Sequence, residues 1–439
     1  MPCRVGRERL MKGTVECYGV ARSSGFNAMT SPFSTWESGF FVALIGAMAV
    51  VPLVNGGWWR KWYPWVTLAL AFPCAMVVGI KDTAALHEVA GEYISFITLL
   101  AALYIVSGGI DVETPARGRP VSNVLFLLVG AVLASLLGTT GASVVLIRPL
   151  LRANAWRKHC THLFVFFIFI VSNIGGLLTP LGDPPLFLGY LQGVPFFWTL
   201  RLFPVWCLAV GSLLTVFWFL DAWQIRKELP AVARLPERRF EVHGVRNIML
   251  LLLVVASLFL PMVIREIVML LAIVISIRVT PPAIRARNDF TYHPIIEVAI
   301  LFAGIFVTMI PVQALLRASG SISGGASPAA VFWMAGGLSS FLDNAPTYLI
   351  FFESARTASG SLAALLAGGA GGVLVAVSLG CVMMGANTYI GNGPNLMVKA
   401  ICEDEGVTMP SFFGYMVWVV LVLVPLYAVI TWWMWLRIA

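Results

Sequence analysis

Long apolar segments separated by short polar loops run through the chain from residue 40 to residue 436. A helix that crosses a lipid bilayer needs about 20 mainly apolar residues, and segments of this kind recur here. Inside lipid, a backbone N–H or C=O group without an internal partner is costly, and a helix satisfies these groups within its own turns. The pattern therefore predicts an all-α polytopic membrane protein.

The low content of charged residues excludes the main soluble classes. Charged residues make up 11% of the chain and hydrophobic residues 59%, whereas a soluble domain is about 25% charged. Too few polar side chains are present to cover a soluble enzyme, a disordered chain or a nucleic-acid-binding module. The net charge of +8 comes largely from Lys and Arg in short loops, as the positive-inside bias produces. We therefore expect contact with membrane lipid, no nucleic-acid partner and no enzymatic activity.

Sequence motifs for metals, cofactors and nucleotides are missing. The cysteines are scattered without a CxxC pair, so neither a disulfide framework nor a zinc site is predicted. His159 and His162 form an HxxH pair that lacks further ligands. No Lys follows Gly and precedes Ser or Thr, so the sequence contains no P-loop. We therefore predict no resident cofactor and no ATPase activity.

The two halves of the chain have the same order of segments. Each half contains three spans, a stretch interrupted by a polar turn, a broken span and a closing span. The predicted divisions are a polar tail at 1–38, a first repeat at 39–220 with a hairpin at 121–152 and a broken helix at 161–193, a basic linker at 221–247, and a second repeat at 248–439 with a hairpin at 328–355 and a broken helix at 362–402.

The interrupted stretches determine the predicted topology. The apolar run breaks at Gly138–Gly141 in the first stretch and at Asp343–Pro346 in the second. Each piece is too short to cross comfortably, so we interpret both stretches as re-entrant hairpins with polar tips. Such backbone survives at membrane depth only where it is buried in protein or lines a water-filled cavity. If the hairpins do not cross the membrane, about five transmembrane helices remain in each half. Because this number is odd, the second half begins on the opposite side of the membrane from the first, and the two halves are inverted repeats.

Charge bias orients the predicted spans. If the linker is cytoplasmic, the loops on its side carry most of the Lys and Arg residues, as expected in a bacterial inner membrane. The basic N-terminal tail is the exception, because it would lie outside. Arg148 and Lys399 lie near the membrane ends of their segments, so we expect their side chains to extend to the headgroups. An inward orientation of either would make it a candidate for binding anions.

A short motif is repeated in the two broken spans. Residues 179–185 read TPLGDPP and residues 388–394 read TYIGNGP. The equivalent pairs are Thr179 and Thr388, Gly182 and Gly391, Asp183 and Asn392, and Pro185 and Pro394. The hairpin tips are aligned in the same order, with Thr139 opposite Asp343. Together these two matches indicate an internal duplication.

Glycine and proline have a physical role in this motif. Proline removes a backbone donor and glycine permits non-helical dihedral angles, so together they unwind a span. The unwound point exposes carbonyl groups of one half-helix, which suit Na⁺, and N–H groups of the other, which suit an anion. Corresponding Gly/Pro-interrupted segments in two halves indicate the central site of a transporter. The motif therefore predicts such a site at the two breaks.

Side chains that carry oxygen atoms surround the predicted site. Those at the breaks are Ser172, Asn173, Thr179, Asp183, Asn387, Thr388, Asn392 and Asn395, and those at the tips are Thr139, Thr140, Ser143, Asp343, Asn344 and Thr347. Na⁺ is expected at the two breaks, with Thr179, Asp183, Thr388 and Asn392 as ligands.

Asp183 is the strongest of these candidates. A carboxylate at membrane depth costs about 2.5–3.5 kcal/mol, so it persists mainly where it is used or paired. As an anion it can hold Na⁺, and as an acid it needs no counter-ion, so Na⁺ and H⁺ would compete for it. The alternative is that Asp183 caps the half-helix that begins at Pro184. For Asp343 the alternative is a solvated carboxylate in a turn.

The residues of these motifs resemble the ion transporter superfamily. Ser172–Gly176 followed by Thr179–Pro185, together with Leu342–Thr347, is similar to motifs of NhaD-type sodium/proton antiporters, arsenite-efflux permeases and citrate/dicarboxylate carriers. The motifs look most like the NhaD type, and the whole resembles bacterial chains described as putative citrate transporters or as sodium/proton antiporters. The resemblance implies a scaffold domain, a transport domain built from the hairpins and broken helices, and often a homodimer.

The resemblance also orders the functions that we predict. Di- and tricarboxylate carriers of this superfamily have Ser-Asn-Thr at each tip, whereas the tips here read Thr-Thr-Gly at 139–141 and Asp-Asn-Ala at 343–345. An anionic Asp343 would also repel a citrate trianion unless a cation bridged them. We therefore predict Na⁺/H⁺ antiport first, and Na⁺- or H⁺-coupled transport of citrate or a dicarboxylate second. A channel or a receptor on the same scaffold stays open, and so does arsenite efflux, although neither break contains Cys.

Overall fold

The computed structural model describes residues 31–113, 118–226, 241–319, 326–368 and 372–438. Within these ranges the chain is almost entirely helical, and seven helical segments are long and apolar enough to cross a membrane. The prediction of an all-α polytopic membrane protein is therefore confirmed. Residues 1–30 of the predicted tail and 227–240 of the predicted linker lie outside the described residues.

The elements of the described chain are numbered in chain order. The first half contains α1 (Gly39–Lys81), α2 (Thr83–Ser107), β1 (Asp111–Glu113), α3 (Pro120–Leu137), α4 (Thr139–Asn154), α5 (Thr161–Ile170), α6 (Pro184–Leu191) and α7 (Phe203–Ile225). The second half contains β2 (Glu241–His243), α8 (Val245–Ser257), α9 (Met262–Val279), α10 (Pro282–Arg287), α11 (His293–Ser319), α12 (Pro328–Ser339), α13 (Asn344–Ser359), α14 (Leu362–Ala367), α15 (Val373–Met384), α16 (Gly393–Asp404), α17 (Phe412–Trp418) and α18 (Val424–Ile438). Four short segments of tighter or wider helix lie at Ile174–Leu178, Phe196–Leu202, Gly385–Asn387 and Val419–Leu423.

The first two predicted spans form one kinked helix. Asn55 has non-helical dihedral angles (φ −150°, ψ 79°) inside α1. No loop separates these two spans, because Arg60 and Lys61 lie in the first turns of the helical segment Val54–Lys81. Their exposed side chains can extend along the helix towards the interface, which makes charged residues tolerable there.

Within the part of the chain that the structure describes, a short β-ribbon is the exception to the helical architecture. β1 pairs antiparallel with β2, with Val112 opposite Val242. The ribbon joins the segment after α2 to the segment before α8. β2 therefore lies inside the predicted linker at 221–247, whose first residues belong to the end of α7 and whose last residues begin α8. The pattern of apolar spans does not predict it, because each strand has only three residues.

The first broken helix lies deep inside the protein. Of the segment Thr161–Leu178, 89% is buried, compared with 22% of an apolar 18-residue window in Val54–Lys81. The outer helices expose apolar side chains over a wide area, and Ile80, for example, is 82% exposed. An apolar surface of this extent is typical of contact with a membrane. The outer helices therefore enclose the broken segment.

The helix pairs pack crosswise against the broken helices. α3 and α4 form the first pair, and α12 and α13 form the second. The returning helix α4 packs against α16 of the second half, whereas the returning helix α13 packs against α6 of the first half. Both halves therefore contribute side chains to one shared centre.

A buried ion pair connects the ends of several helices in the first half. Arg157 Nη2 lies 2.5 Å from Asp221 Oδ1, and His162 Nε2 lies 2.9 Å from the same oxygen. Asn123 donates to Asp221 Oδ2 over 3.1 Å and exchanges hydrogen bonds with Asn154. These contacts join the start of α3, the end of α4, the start of α5 and the end of α7.

We expect Asp221→Ala to destabilise the protein by about 3–5 kcal/mol, because it removes the carboxylate that faces a fully buried guanidinium. The measurement is the unfolding temperature of the purified protein in detergent. Glu403→Ala is the matched control, since Glu403 pairs with Lys399 over 2.7 Å and both side chains are partly exposed, and we expect at most about 1 kcal/mol there. An equal loss of stability in both variants would contradict the buried-pair explanation.

Candidate ion site

The first broken helix is interrupted after α5. α5 ends at Ile170, a 3₁₀ turn occupies Ile174–Leu178, and α6 begins at Pro184. Asp183 precedes α6 in an extended conformation, but its side chain makes no capping hydrogen bond. The first two residues of α6 are prolines and have no N–H group to offer to a cap. The alternative role of Asp183 as a side-chain cap is therefore not supported.

The second broken helix is interrupted in the same way. α15 ends at Met384, a 3₁₀ turn occupies Gly385–Asn387, and α16 begins at Gly393. Asn392 precedes α16 with φ −154° and ψ 137°, close to the φ −149° and ψ 143° of Asp183. The repeated sequence motif thus has the same backbone shape at both breaks.

Close backbone contact requires glycine at each break. A Cβ atom at Gly182 would lie 1.9 Å from the carbonyl oxygen of Gly176, and one at Gly391 would lie 2.6 Å from that of Gly385. Both carbonyl groups belong to the backbone of the 3₁₀ turns, so they cannot move away from a Cβ atom unless the turn itself shifts. Glycine therefore allows the segment after each turn to fold back over the turn.

The repeated threonines hold the breaks against the first helix of each pair. Thr179 Oγ1 donates to the carbonyl oxygen of Ser135, and Thr388 Oγ1 donates to that of Ser340 over 2.5 Å. Each hydroxyl also accepts a backbone N–H group from its own break. Both hydroxyls thus hold the backbone of the breaks in place. The binding of Na⁺ by Thr179 and Thr388 stays a prediction. The sequence reasoning missed Ser135 and Ser340, although a serine just before each polar tip was a signal for them.

Asp183 lies at the centre of a hydrogen-bond network that both halves form. Thr139 Oγ1 and Asn392 Nδ2 donate to Asp183 Oδ1 over 2.9 and 3.3 Å. Asn344 Nδ2 donates to Asp183 Oδ2 over 2.5 Å. We call these four residues the Asp183 network. All four are buried, and Asp183 is only 1% exposed.

The two tips correspond with a shift of one residue from the sequence alignment. Thr139 and Asn344 are the first residues of α4 and α13, and both donate to Asp183. Gly138 and Asp343 occupy the preceding N-cap positions. The alignment of Thr139 with Asp343 is therefore wrong by one residue. The turn before α4 uses a glycine with φ 79° where the turn before α13 uses an aspartate that caps the helix.

Amide and hydroxyl side chains connect the two breaks directly. Asn392 Nδ2 lies 3.1 Å from both the carbonyl oxygen of Ser172 and Oδ1 of Asn173. Asn173 Nδ2 donates to Asn395 Oδ1 over 2.7 Å. The hydroxyls of Ser172 and Ser143 share a hydrogen bond of 2.9 Å. The structure therefore brings these predicted residues together beside the Asp183 network.

The partners of Asp183 are all neutral. In the described part of the chain, its carboxylate has three hydroxyl or amide donors and no ion-pair partner. A charged group that is removed from water without a counter-charge is strongly disfavoured. Oδ1 of Asn344 is also buried without a hydrogen-bond partner. The network is therefore chemically suited to take up a proton or a cation.

A cavity of about 90 Å³ lies beside the network. Its wall includes Thr140, Asp343 and Asn392, with apolar side chains such as Leu103 of α2 and Phe302 of α11. No Lys, Arg or His is among the described residues that form this wall. Since one water molecule occupies about 30 Å³ in the liquid, the cavity suits a few waters or a small ion.

Other predicted residues lie away from the carboxylate of Asp183. Asn387 donates to Ser340 Oγ and accepts from Tyr427 Oη, each over 2.9 Å. Thr347 donates to the backbone oxygen of Asp343 over 3.1 Å. Asp343 caps α13 through a backbone N–H group and also faces the cavity. It is partly exposed rather than buried.

Membrane-length helices and two buried breaks around a shared polar centre define a multi-pass membrane protein of the transporter class. The profile of the family described as "Putative citrate transport" matches residues 30–436, and the chain belongs to this family. The match covers both halves and confirms the family resemblance that the motifs indicate. A comparison with curated proteins finds no match.

Proposed function

We propose that this protein is a secondary transporter in which Na⁺ and H⁺ compete for Asp183, so that one ion is exchanged for the other. The observation that carries this proposal is a buried carboxylate whose partners are all neutral donors from both halves. Either a proton or a cation would remove the cost of leaving that charge uncompensated.

The donor set supports a hard cation. Na⁺ would find the carboxylate of Asp183, the hydroxyl of Thr139 and the unpartnered Oδ1 of Asn344 in one small region. Hard cations prefer oxygen ligands of this kind. Protonation of Asp183 would remove the negative charge that holds the cation. One site that takes either ion, but not both together, is sufficient for antiport.

The crosswise packing supports an alternating mechanism. Thr139 and Asn344 begin the returning helices α4 and α13, so a movement of either helix pair would change the surroundings of Asp183. We infer that the two pairs are re-entrant hairpins of an inverted repeat, and that each opens the site to one side of the membrane. Location in a bacterial inner membrane with a cytoplasmic linker belongs to the same proposal. Enzymatic inactivity, independence of cofactors and a homodimer remain predictions.

The test is a ΔpH assay in everted membrane vesicles that contain the full chain. We expect added Na⁺ or Li⁺ to collapse a preformed ΔpH, whereas choline has no effect. Vesicles without the protein are the control for leakage. A ΔpH that is unaffected by every alkali cation, in vesicles with folded protein, would overturn the antiport proposal.

A second candidate function follows from the family, whose description names citrate. The cavity wall carries Asp343 and, among the described residues, no basic side chain to balance a trianion. We infer that citrate or a dicarboxylate would enter only together with a cation that bridges it to Asp343. Na⁺ or H⁺ bound at Asp183 would then be the coupling ion.

For this second candidate we expect uptake of labelled citrate into proteoliposomes only when a bridging cation such as Mg²⁺ is present. Asp343→Asn should weaken the dependence on that cation, because the repulsion between the carboxylates is lost. Succinate and malate serve as further probes. Failure of all of these anions to enter, with and without Mg²⁺, would exclude the candidate.

A further inference from the structure

Two ion pairs join the returning helices α4 and α13 to the two ends of α11. Arg148 of α4 pairs through Nη2 with Asp289, which precedes α11, over 2.9 Å. Glu353 of α13 pairs over 2.5 Å with Arg317 in the last turn of α11. α11 has 27 residues, which corresponds to a length of about 40 Å. The two pairs therefore lie at opposite ends of a helix that is long enough to cross the membrane.

Arg148 and Glu353 occupy equivalent positions in the two halves. Each is the tenth residue of its helix, counted from Thr139 in α4 and from Asn344 in α13, and both of these first residues donate to Asp183. Nine steps along a helix correspond to about 14 Å, nearly half of a hydrocarbon core of about 30 Å. Each ion pair is therefore expected near one boundary of the membrane, whereas the start of its helix lies at the Asp183 network.

The buried member of each pair belongs to the returning helix. The side chains of Arg148 and Glu353 are 8% and 4% exposed, so the expectation that Arg148 extends to the headgroups is wrong. The side chains of their partners, Asp289 and Arg317, are 71% and 51% exposed. A buried charge that loses its counter-charge is strongly disfavoured. Each returning helix can therefore separate from its partner only if its own charged group moves out into water.

A further polar contact accompanies the ion pair at each end. Arg152, one turn beyond Arg148, donates through Nη1 to Asp111 of β1 over 3.3 Å. At the end of α6, which packs against α13, Gln192 donates to Glu92 of α2 over 2.8 Å. Helices α2 and α11, with the segments next to them, thus hold the helices that carry the site at both ends.

We propose that the two ion pairs are latches, one for each side of the membrane, and that release of a latch opens the Asp183 network to its own side. The first latch is Arg148 with Asp289, and the second latch is Glu353 with Arg317. Both pairs are formed in this structure, in which Asp183 is 1% exposed. The inference rests on the proposed exchange of ions, because that function assigns one hairpin to each side.

The first arm of the test is independent of transport. It measures hydrogen–deuterium exchange of the backbone in the purified full chain in detergent. Glu353→Gln should accelerate exchange in the second half of α13 by about two- to tenfold and leave α4 unchanged, because one lost ion pair weakens only its own contact. Arg148→Gln should accelerate exchange in α4 and leave α13 unchanged. Exchange that is unaltered in both variants, or altered equally in both helices, would overturn the proposal.

The second arm measures on which side each latch acts. Its readout is the Na⁺ concentration that gives half of the maximal ΔpH response, in everted and in right-side-out vesicles. The apparent affinity for an ion falls with the fraction of protein that is open to its side. Glu353→Gln and Arg148→Gln should therefore change the ratio of the two concentrations in opposite directions, each by about two- to tenfold. An unchanged ratio, or a change in the same direction, would contradict the latches even if the wild type exchanges Na⁺.

Three further variants complete the design. Arg317→Gln and Asp289→Asn alter the exposed members and should reproduce the effects of Glu353→Gln and Arg148→Gln, which keeps the proposal testable if a buried substitution prevents folding. Glu403→Gln is the control, since Glu403 pairs with Lys399 within α16 alone, and neither readout should change. A wild type without any Na⁺ response would contradict ion exchange, whereas hydrogen exchange in α4 and α13 would still decide whether the pairs hold the returning helices.

Discussion

Asp183→Asn is expected to reduce the Na⁺-induced collapse of ΔpH to the level of vesicles without the protein. The substitution preserves the size of the side chain and leaves an oxygen that can accept from Thr139. It removes the negative charge that would hold Na⁺ and the group that would exchange a proton. Since the partners of Asp183 are neutral, no buried cation loses its counter-charge, and the variant should fold.

A binding measurement separates this effect from a loss of folding. A ligand that binds only the folded state stabilises it, by about 2.7 kcal/mol at a hundred times its Kd. We expect Na⁺ to raise the unfolding temperature of the wild type but not that of Asp183→Asn. In the wild type the apparent affinity for Na⁺ should fall as the pH falls, because protons compete for the same carboxylate, and this dependence should be absent in the variant.

The control for the loss of a carboxylate is Glu403→Gln. Glu403 pairs with Lys399, is partly exposed and lies outside the Asp183 network, so cation exchange should be close to that of the wild type. A normal Na⁺ response in Asp183→Asn would remove this residue from the mechanism, although the breaks would still form a site.

Gly182→Ala is expected to prevent the accumulation of folded protein. The new Cβ atom would lie 1.9 Å from the carbonyl oxygen of Gly176, far inside van der Waals contact. That oxygen belongs to the turn of the first break, so relief requires a movement of the backbone beside Asp183. We expect the substitution to lower the free energy of unfolding by more than about 4–5 kcal/mol, an effect that few single substitutions reach.

Two further glycines give this prediction a graded control. Gly391→Ala places a Cβ atom 2.6 Å from the carbonyl oxygen of Gly385 and should be less severe, whereas a Cβ atom at Gly393 has no other atom within 4 Å. Gly393→Ala should therefore leave stability unchanged or raise it by up to about 1 kcal/mol, since it begins α16. The amount of folded protein in the membrane and its unfolding temperature are the measurements. Equal stability of the Gly182 and Gly393 variants would show that the backbone contact can relax.

Sequence reasoning located the two breaks but not the register between the tips. The motif at 179–185 and its repeat at 388–394 are local, so glycine and proline mark them directly. The register at the tips depends on which residue begins the returning helix. The residue before each returning helix starts that helix in a different way. Gly138 adopts a positive φ, whereas the side chain of Asp343 accepts a hydrogen bond from a backbone N–H group of the helix.

The buried ion pair of Asp221 is a second feature that the sequence does not predict. Asp221 lies near the end of an apolar span, and Arg157 and His162 are far from it in the sequence. Nothing in the spacing of these residues predicts that they meet. Only the packing of α7 beside α5 and the end of α4 brings their charges within hydrogen-bond distance.

The sequence by itself determined the membrane class, the helical spans and the positions of the two interruptions, because hydropathy and the chemistry of glycine and proline act over neighbouring residues. Only the tertiary structure decided that Thr139, Asn344 and Asn392 share one carboxylate. It also decided that the buried Arg148 pairs with Asp289 of the second half. The physical reason is that these contacts join residues of different helices, and their distances depend on how the helices cross rather than on any local pattern.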